Sequence, residues 1–170
     1  MYPNKYFQSL ALQRNTLAKT IEVLERGWNV SFEIKPTGIS KDHSNIFHAT
    51  TGARRTGVHG ARTPAMYFVR KSTKILICTS INDDNNFCRK INNALPLNKY
   101  SKVSVKQIQS QDDFKFYFQV FVNNISMLNE VNDNPQIFNN VKYYLSNPWK
   151  PEAKAFVKNF VVETYKDFGK

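Results

Sequence analysis

Strict two-residue alternation limits what this chain can become. Trp28, Val30, Phe32 and Ile34 alternate with Asn29, Ser31, Glu33 and Lys35, so an extended segment has one apolar and one wet face before Pro36-Thr37-Gly38 ends it. From Asp113 to Val122 the pattern returns, with Phe114, Phe116, Phe118, Val120 and Val122 on one side and Lys115, Tyr117, Gln119 and Phe121 on the other. Asn123-Asn124 follows where a tight hairpin turn belongs, because Asn tolerates positive φ, and Ile125 to Val131 runs back. Further strands are expected at Asn45–Thr50, Ala65–Val69 and Ile75–Cys78, around Val103, Val105 and Ile108, and at Val141–Leu145 and Ala155–Thr164. Thr16 to Leu24 fits either an opening strand or, with Leu10 and Leu12, a helix. The strand is preferred, since a hairpin through Arg26-Gly27 would give the Trp28 strand a partner. Strands recurring about every ten residues predict an all-β, two-sheet antiparallel sandwich rather than an α/β fold. The 170 residues suffice for one hydrophobic core, and no repeat or low-complexity linker divides them, so residues 1–170 read as a single domain.

Cys78 and Cys88 are the only cysteines, and they flank a run of turn formers, Asn82-Asp83-Asp84-Asn85-Asn86. If the chain reverses there, the two thiols face each other across neighbouring strands at the spacing a disulfide needs. Such a bridge suits an oxidising, extracellular setting; the alternative is a pair of free core thiols in a cytosolic protein. Zinc has no support, because no second Cys or His pair stands at ligand spacing. No apolar run reaches the roughly 18 residues of a membrane span. Met1-Tyr2-Pro3-Asn4-Lys5 lacks the charged and apolar regions of a signal peptide, so a secreted origin implies a leader removed upstream. The sequons Asn29-Val30-Ser31 and Asn124-Ile125-Ser126 permit that route but carry little weight in an Asn-rich chain.

With 24 Lys and Arg against 13 Asp and Glu, the net charge of +11 implies attraction to polyanions. One loop, Thr51 to Arg62, holds Arg54, Arg55, His59 and Arg62 among three glycines and no acid. Arginine forks pair with sulfate, carboxylate or phosphate in bidentate fashion, and glycines let backbone N–H groups come close to an anion. The loop reads as an anion-binding rim or, alternatively, as a merely solvated loop. Lys71, Lys74, Arg89, Lys90, Lys99 and Lys102 either extend that basic surface around the cysteine hairpin or simply solubilise the protein. Trp149, set between Pro148 and Pro151 after Tyr143-Tyr144, is either a stacking platform for a sugar ring or a plug at the end of the sandwich. Trp28, on an apolar strand face, belongs to the core.

The segments Trp28–Gly38 (WNVSFEIKPTG), Asn45–Gly52 (NIFHATTG), Arg62–Phe68 (RTPAMYF), Lys74–Ser80 (KILICTS) and Asn147–Pro151 (NPWKP) carry a resemblance. In order and spacing, from about Leu17 to Tyr165, the chain resembles the laminin G-like, concanavalin A-like sandwich domains of extracellular matrix, adhesion, and shell or skeletal matrix proteins. That resemblance implies a jelly roll whose loops at one rim bind sulfated or sialylated glycans, other matrix proteins, or calcium that bridges to acidic sugars. It also implies an Asp just before Arg62-Thr63-Pro64 as a calcium ligand, where this chain has Ala61. Asp83 and Asp84, or Asn132-Asp133-Asn134, supply hard oxygens of the kind calcium takes, although Asx residues also serve reversals for reasons unrelated to metals.

Catalysis has little support. His43, His48 and His59 lie in no nucleophile or metal signature, and Glu22, Glu25, Glu33, Glu130, Glu152 and Glu163 show no inward-facing paired arrangement of the kind glycosidases use. No helix-turn-helix, zinc finger or aromatic RNA-binding signature accompanies the basic charge. The sequence therefore predicts a non-catalytic extracellular recognition module, without a required cofactor and with calcium left open. It would bind acidic or sulfated glycan through Arg54, Arg55, His59, Arg62, Lys71, Lys74 and Trp149. The alternative is a structural or adhesion module that docks a matrix protein. Neither sequence-specific nucleic-acid binding nor membrane insertion is expected.

Overall fold

The structure, a computed structural model, describes residues 8–52 and 58–167. The described residues form strands and no helix: β1 (Leu10–Ala11), β2 (Leu17–Leu24), β3 (Gly27–Pro36), β4 (Ser44–Thr50), β5 (Ala65–Phe68), β6 (Lys74–Ile81), β7 (Asp84–Ala94), β8 (Ser101–Gln109), β9 (Phe116–Val122), β10 (Ile125–Asn132), β11 (Phe138–Leu145) and β12 (Ala155–Tyr165). They build two antiparallel sheets, the first in the order β1-β12-β3-β8-β9-β10 and the second in the order β2-β11-β4-β5-β6-β7. This is the jelly-roll sandwich that the alternating segments imply.

The two inner faces meet in a single core cluster. Val30, Phe32 and Ile34 of β3 and Phe118, Val120 and Val122 of β9 line one side, with Phe47 of β4, Ile75 and Ile77 of β6, and Tyr143 of β11 on the other. Phe32 and Phe47 meet edge to face, ring centroids 5.5 Å apart, and Phe160 packs against both. Period-2 burial along β3 and β9 thus becomes sheet-on-sheet packing.

Two hairpins close as the Asx residues suggest. Asn123 and Asn124 both take positive φ, 49° and 65°, and join β9 to β10. Asn82 and Asp83 do the same, at 51° and 61°, so the β6–β7 turn is two residues long and Asp84 already pairs with Ile81. The expected reversal across Asn82–Asn86 is therefore shorter than the run of turn formers, because two left-handed residues match the twist of the flanking strands. Cys78 stands opposite Cys88 with Cα atoms 4.1 Å apart, and the disulfide is formed.

Two expectations fail. β2 does not pair with β3: it pairs with β11 of the second sheet, while β3 lies between β12 and β8 in the first. The short Glu25-Arg26 connection carries the chain from one sheet to the other, and the end of β2 enters the shared core through Leu24. Phe114 is not part of the buried face of β9. It has φ 58° and is 50% exposed, its N–H donates to Ser110 O in a turn, and the strand starts only at Phe116.

Candidate functional site

β4 is buried along its whole length, which means that both of its faces are covered. Phe47 and Ala49 enter the core, so the alternation turns His48 to the outer face of the second sheet. Tyr67 of β5 lies on that outer face by the same parity, between Met66 and Phe68, which point inward. A crossing loop covers them. Asn147 N–H donates to Asn45 Oδ1 (2.7 Å), while Asn147 Oδ1 accepts from the backbone N–H groups of Trp149 (3.0 Å) and Lys150 (2.8 Å). Asn45 in turn donates through Nδ2 to the carbonyls of Phe47 and Met66 at 3.0 and 3.1 Å. Two buried Asn side chains therefore hold segment 147–150 across β4, an Asx turn doing locally what a strand pair does elsewhere.

His48 is locked by this arrangement. Its Nε2 lies 2.7 Å from Ala61 O, which can only accept, so Nε2 carries the hydrogen; Nδ1 then accepts from Asn147 Nδ2 at 2.9 Å. Tyr67 Oη is 3.3 Å from the same Nδ1, and the Trp149 ring meets the imidazole edge to face at 5.3 Å. Burial is the main cause that holds the His48 pKa down to about 4, aided by the Arg62 charge and opposed by the bond to Ala61, so the ring is neutral near pH 7. Burial also pushes the Tyr67 hydroxyl above its ordinary value, against the pull of Arg62.

Arg62 reaches over this base. Its guanidinium sits 5.7 Å from the Tyr67 ring centroid, donates through Nη1 to Asn86 Oδ1 on β7, and lies 3.9 Å from Cys88 Sγ. Arg62, Tyr67, Asn147, Trp149 and Lys150 thus surround a cleft of about 270 Å³ with His48 and Ala61 at its floor. The lining contains two cations, two aromatic rings and an amide, and no carboxylate. It can accept an anionic group against Arg62 and Lys150 while a ring packs on Trp149.

Of the residues singled out from sequence, Arg62 and Trp149 come together here. Trp149 does not plug the end of the sandwich; it lies on the outer face against His48 and Tyr144. His59 stacks on Phe138 at 5.4 Å and donates from Nδ1 to Asn85 Oδ1, and so packs away from the cleft. Gly60 beside it has φ 86°, and an added Cβ would strike Thr51 and Phe138, which is why the returning limb of this loop needs glycine. Arg54 and Arg55 lie outside the described residues. Lys71 belongs to the β5–β6 turn and Lys74 starts β6, whereas Cys78 is the β6 residue opposite Ala65 near the cleft. Four residues of extended chain put Lys74 about 13 Å from that level, so neither lysine lines the cleft. His48, Tyr67, Asn147 and Lys150 were not singled out, although strand parity marked the outward direction of the first two and Asn147-Pro148 announced a turn.

The Asx residues considered for calcium meet at one end of the sandwich, but as turn chemistry. Asn134 Nδ2 donates to Asp83 Oδ1 at 2.6 Å, Asn132 Oδ1 accepts from the backbone of Asn82 and Asn134, and Asp84 Oδ1 accepts from Asn86 N–H. These bonds tie the β6–β7 turn to the segment after β10, across the two sheets. Among the described residues no three His, Cys, Asp or Glu side chains gather, and at position 61, where the resemblance implies an Asp, Ala61 offers a carbonyl bonded to His48. The bonds these side chains make are those of loop closure. A larger cleft of about 600 Å³, between Ile108, Phe116 and Tyr165 at the end of the first sheet, is mainly apolar, and its few charges are of both signs.

The two sheets define a jelly-roll, concanavalin-like β-sandwich, and solved structures share this fold. The chain is similar to the carbohydrate-binding module CBM40 of the Ruminococcus gnavus IT-sialidase, solved with α2,3-sialyllactose bound: the TM-score is 0.57 at 9% identity, over 97% of this chain and 95% of that one. It is similar to the native heptameric SAP-like pentraxin of Limulus polyphemus, with a TM-score of 0.54 and 14% identity over 94% of this chain and 71% of the pentraxin. For the galectin LEC-6 of Caenorhabditis elegans the TM-score is 0.52 at 12% identity, over 91% of this chain and 95% of the galectin. Enzymes share the sandwich too, so the fold alone does not decide between binding and catalysis. No protein-family model matches the chain, and no curated protein is significantly similar to it in sequence.

Proposed function

We propose that the protein is a non-catalytic glycan-recognition module and that the Arg62–Trp149 cleft on the outer face of the second sheet is its binding site for an acidic sugar. One observation carries this reading: a guanidinium, an ammonium, an indole and a phenol converge on one small cleft whose lining holds no acid. A sulfate or carboxylate would take the Arg62 fork and Lys150, and the apolar face of the sugar ring would pack on Trp149. CBM40, which holds an acidic sugar on a similar sandwich, supports the class of ligand. Binding without turnover is favoured because the one histidine of the cleft is buried, neutral and bonded at both ring nitrogens, with no carboxylate beside it. The Cys78–Cys88 disulfide supports an extracellular setting, in line with the laminin G-like resemblance.

The test is binding to neutral, sialylated and sulfated glycans at physiological salt, with calcium and then with chelator, for the wild type, Arg62→Ala and Trp149→Ala. Selective binding to an acidic class that both substitutions weaken, and that chelator leaves intact, is the expected result. Uniform weak binding to every polyanion, unchanged by either substitution, would move the function away from this cleft.

A further inference from the structure

The outer face of the first sheet carries a second pattern that does not depend on the Arg62 cleft. Alternation sends Lys35 of β3, Lys102 and Lys106 of β8, Phe121 of β9, and Phe156 and Lys158 of β12 away from the core. The ammonium groups are laid over rings. Lys35 lies 5.2 Å from the Tyr100 centroid and 5.0 Å from that of Phe156, Lys158 lies 4.2 Å from Tyr100, and Lys106 lies 4.7 Å from Phe121. Ring contacts keep the lysine heads at set places on the sheet instead of letting them sweep through solvent.

Strand register orders these groups across the sheet. Phe156 is opposite Lys35, Lys158 opposite Glu33, Glu33 opposite Lys102, and Ser104 opposite Phe121. Glu33, the acid at the centre, is already engaged: it lies 3.7 Å from Lys158 Nζ and accepts from Asn159 Nδ2. Among the described residues, Lys35, Lys102 and Lys106 have no ion-pair partner. Where the register of β12 slips between Lys158 and Val161, a shallow depression of about 470 Å³ opens, lined by Ser31, Phe32, Lys102, Asn159, Val161 and the already engaged Glu33.

We propose that this face is a second binding surface, for a linear anionic polysaccharide carrying carboxylate or sulfate groups, so that one module holds two such chains, one on each sheet. Four adjacent strands, from β12 to β9, span roughly 14 Å, long enough for charges on a polymer to meet several lysines in turn. Hydroxyls and amides in the depression suit sugar hydroxyls. Single-stranded nucleic acid is the poorer occupant, because its affinity comes from bases stacking on open rings, and lysines already cover these rings.

The experiment is a calorimetric titration with a short sulfated oligosaccharide and with a uronate oligosaccharide. It compares the wild type, the triple variant Lys35→Gln/Lys102→Gln/Lys106→Gln, and the double variant Arg62→Ala/Trp149→Ala, with a thermal melt to check folding and Lys106→Gln alone as the milder substitution. The wild type should take up a second equivalent that the triple variant does not, with a shallower salt dependence in that variant. Unchanged stoichiometry, affinity and salt dependence in the triple variant and in Lys106→Gln would overturn the second surface. If the double variant binds as the wild type does while the triple variant loses its ligand, the cleft is refuted and the lysine face stands. Preference for a single-stranded oligonucleotide, lost in the triple variant, would overturn polysaccharide as the ligand.

Discussion

The two outer faces of this sandwich are built by different means. On the second sheet, the cleft depends on long-range polar contacts: Asn147 donates from its backbone to Asn45 and from its side chain to His48 across about a hundred residues of sequence. On the first sheet, the lysine and aromatic pattern follows from alternation and register, with Lys35, Lys106 and Lys158 each reaching a ring on the next strand or on the Tyr100 loop. A cleft made by buried polar groups is rigid and vulnerable, since each lost partner leaves another group unsatisfied. A face made by register is robust and tunable, since a lysine removed there leaves nothing buried and unpaired.

The largest expected effect follows from that difference. Asn147→Ala strips partners from the Trp149 and Lys150 N–H groups and from His48 Nδ1, and should cost about 3–4 kcal/mol in urea unfolding, whereas Lys106→Gln should change stability by less than about 0.5 kcal/mol. Equal effects would erase the contrast.

Acid should act on the cleft face as well. His48 is held near pKa 4 in the folded protein, below its unfolded value of about 6.5. The unfolded chain therefore takes up the proton first, so the stability owed to neutral His48 is complete above about pH 6.5 and drains away as pH falls towards 4, by up to about 3 kcal/mol. Unfolding measured between pH 7 and pH 4 should show this slope, and His48→Gln should flatten it.

Reduction of the Cys78–Cys88 bridge is the next test. A cross-link across so short a loop contributes about 2–3 kcal/mol. Its loss should loosen β7, where Asn86 receives the Arg62 guanidinium, and so weaken glycan binding at the cleft while the lysine face keeps its affinity. Intact mass without reductant should run two hydrogens below the reduced form; two readily alkylated thiols would contradict the bridge. The smallest effect is expected from Phe121→Leu, which removes the ring beneath Lys106 and should weaken polysaccharide binding at the first sheet only about twofold to threefold, a loss of less than 1 kcal/mol.

Much of this molecule is legible from period two alone. Trp28 to Ile34, Phe116 to Val122 and the paired Asn turns are local events: a pleated strand separates its two faces residue by residue, and Asn tolerates the positive φ that a tight turn needs. The disulfide was readable for the same reason, since a hairpin brings Cys78 and Cys88 opposite each other without help from the rest of the chain. One misreading is local: Phe114 fits the alternation, yet the Ser110 turn takes it out of the strand. The other is not: β2 and β3 take partners distant in sequence, β11 for β2 and β12 and β8 for β3.

What the sequence by itself determined, then, is the all-β class, most strands, their inward and outward faces, and the bridge, all set by steric and hydrophobic rules acting over a few residues. Tertiary structure alone decided which outward side chains become neighbours. Arg62 and Trp149 are 87 positions apart and meet only because β11 lies beside β4 and β4 beside β5; Lys71 and Lys74, far closer to Arg62 in sequence, lie a strand length away. An extended strand carries sequence neighbours apart at about 3.3 Å per residue, while sheet pairing brings distant residues within about 5 Å, so a site on a sheet face is written in the pairing order rather than in the chain order.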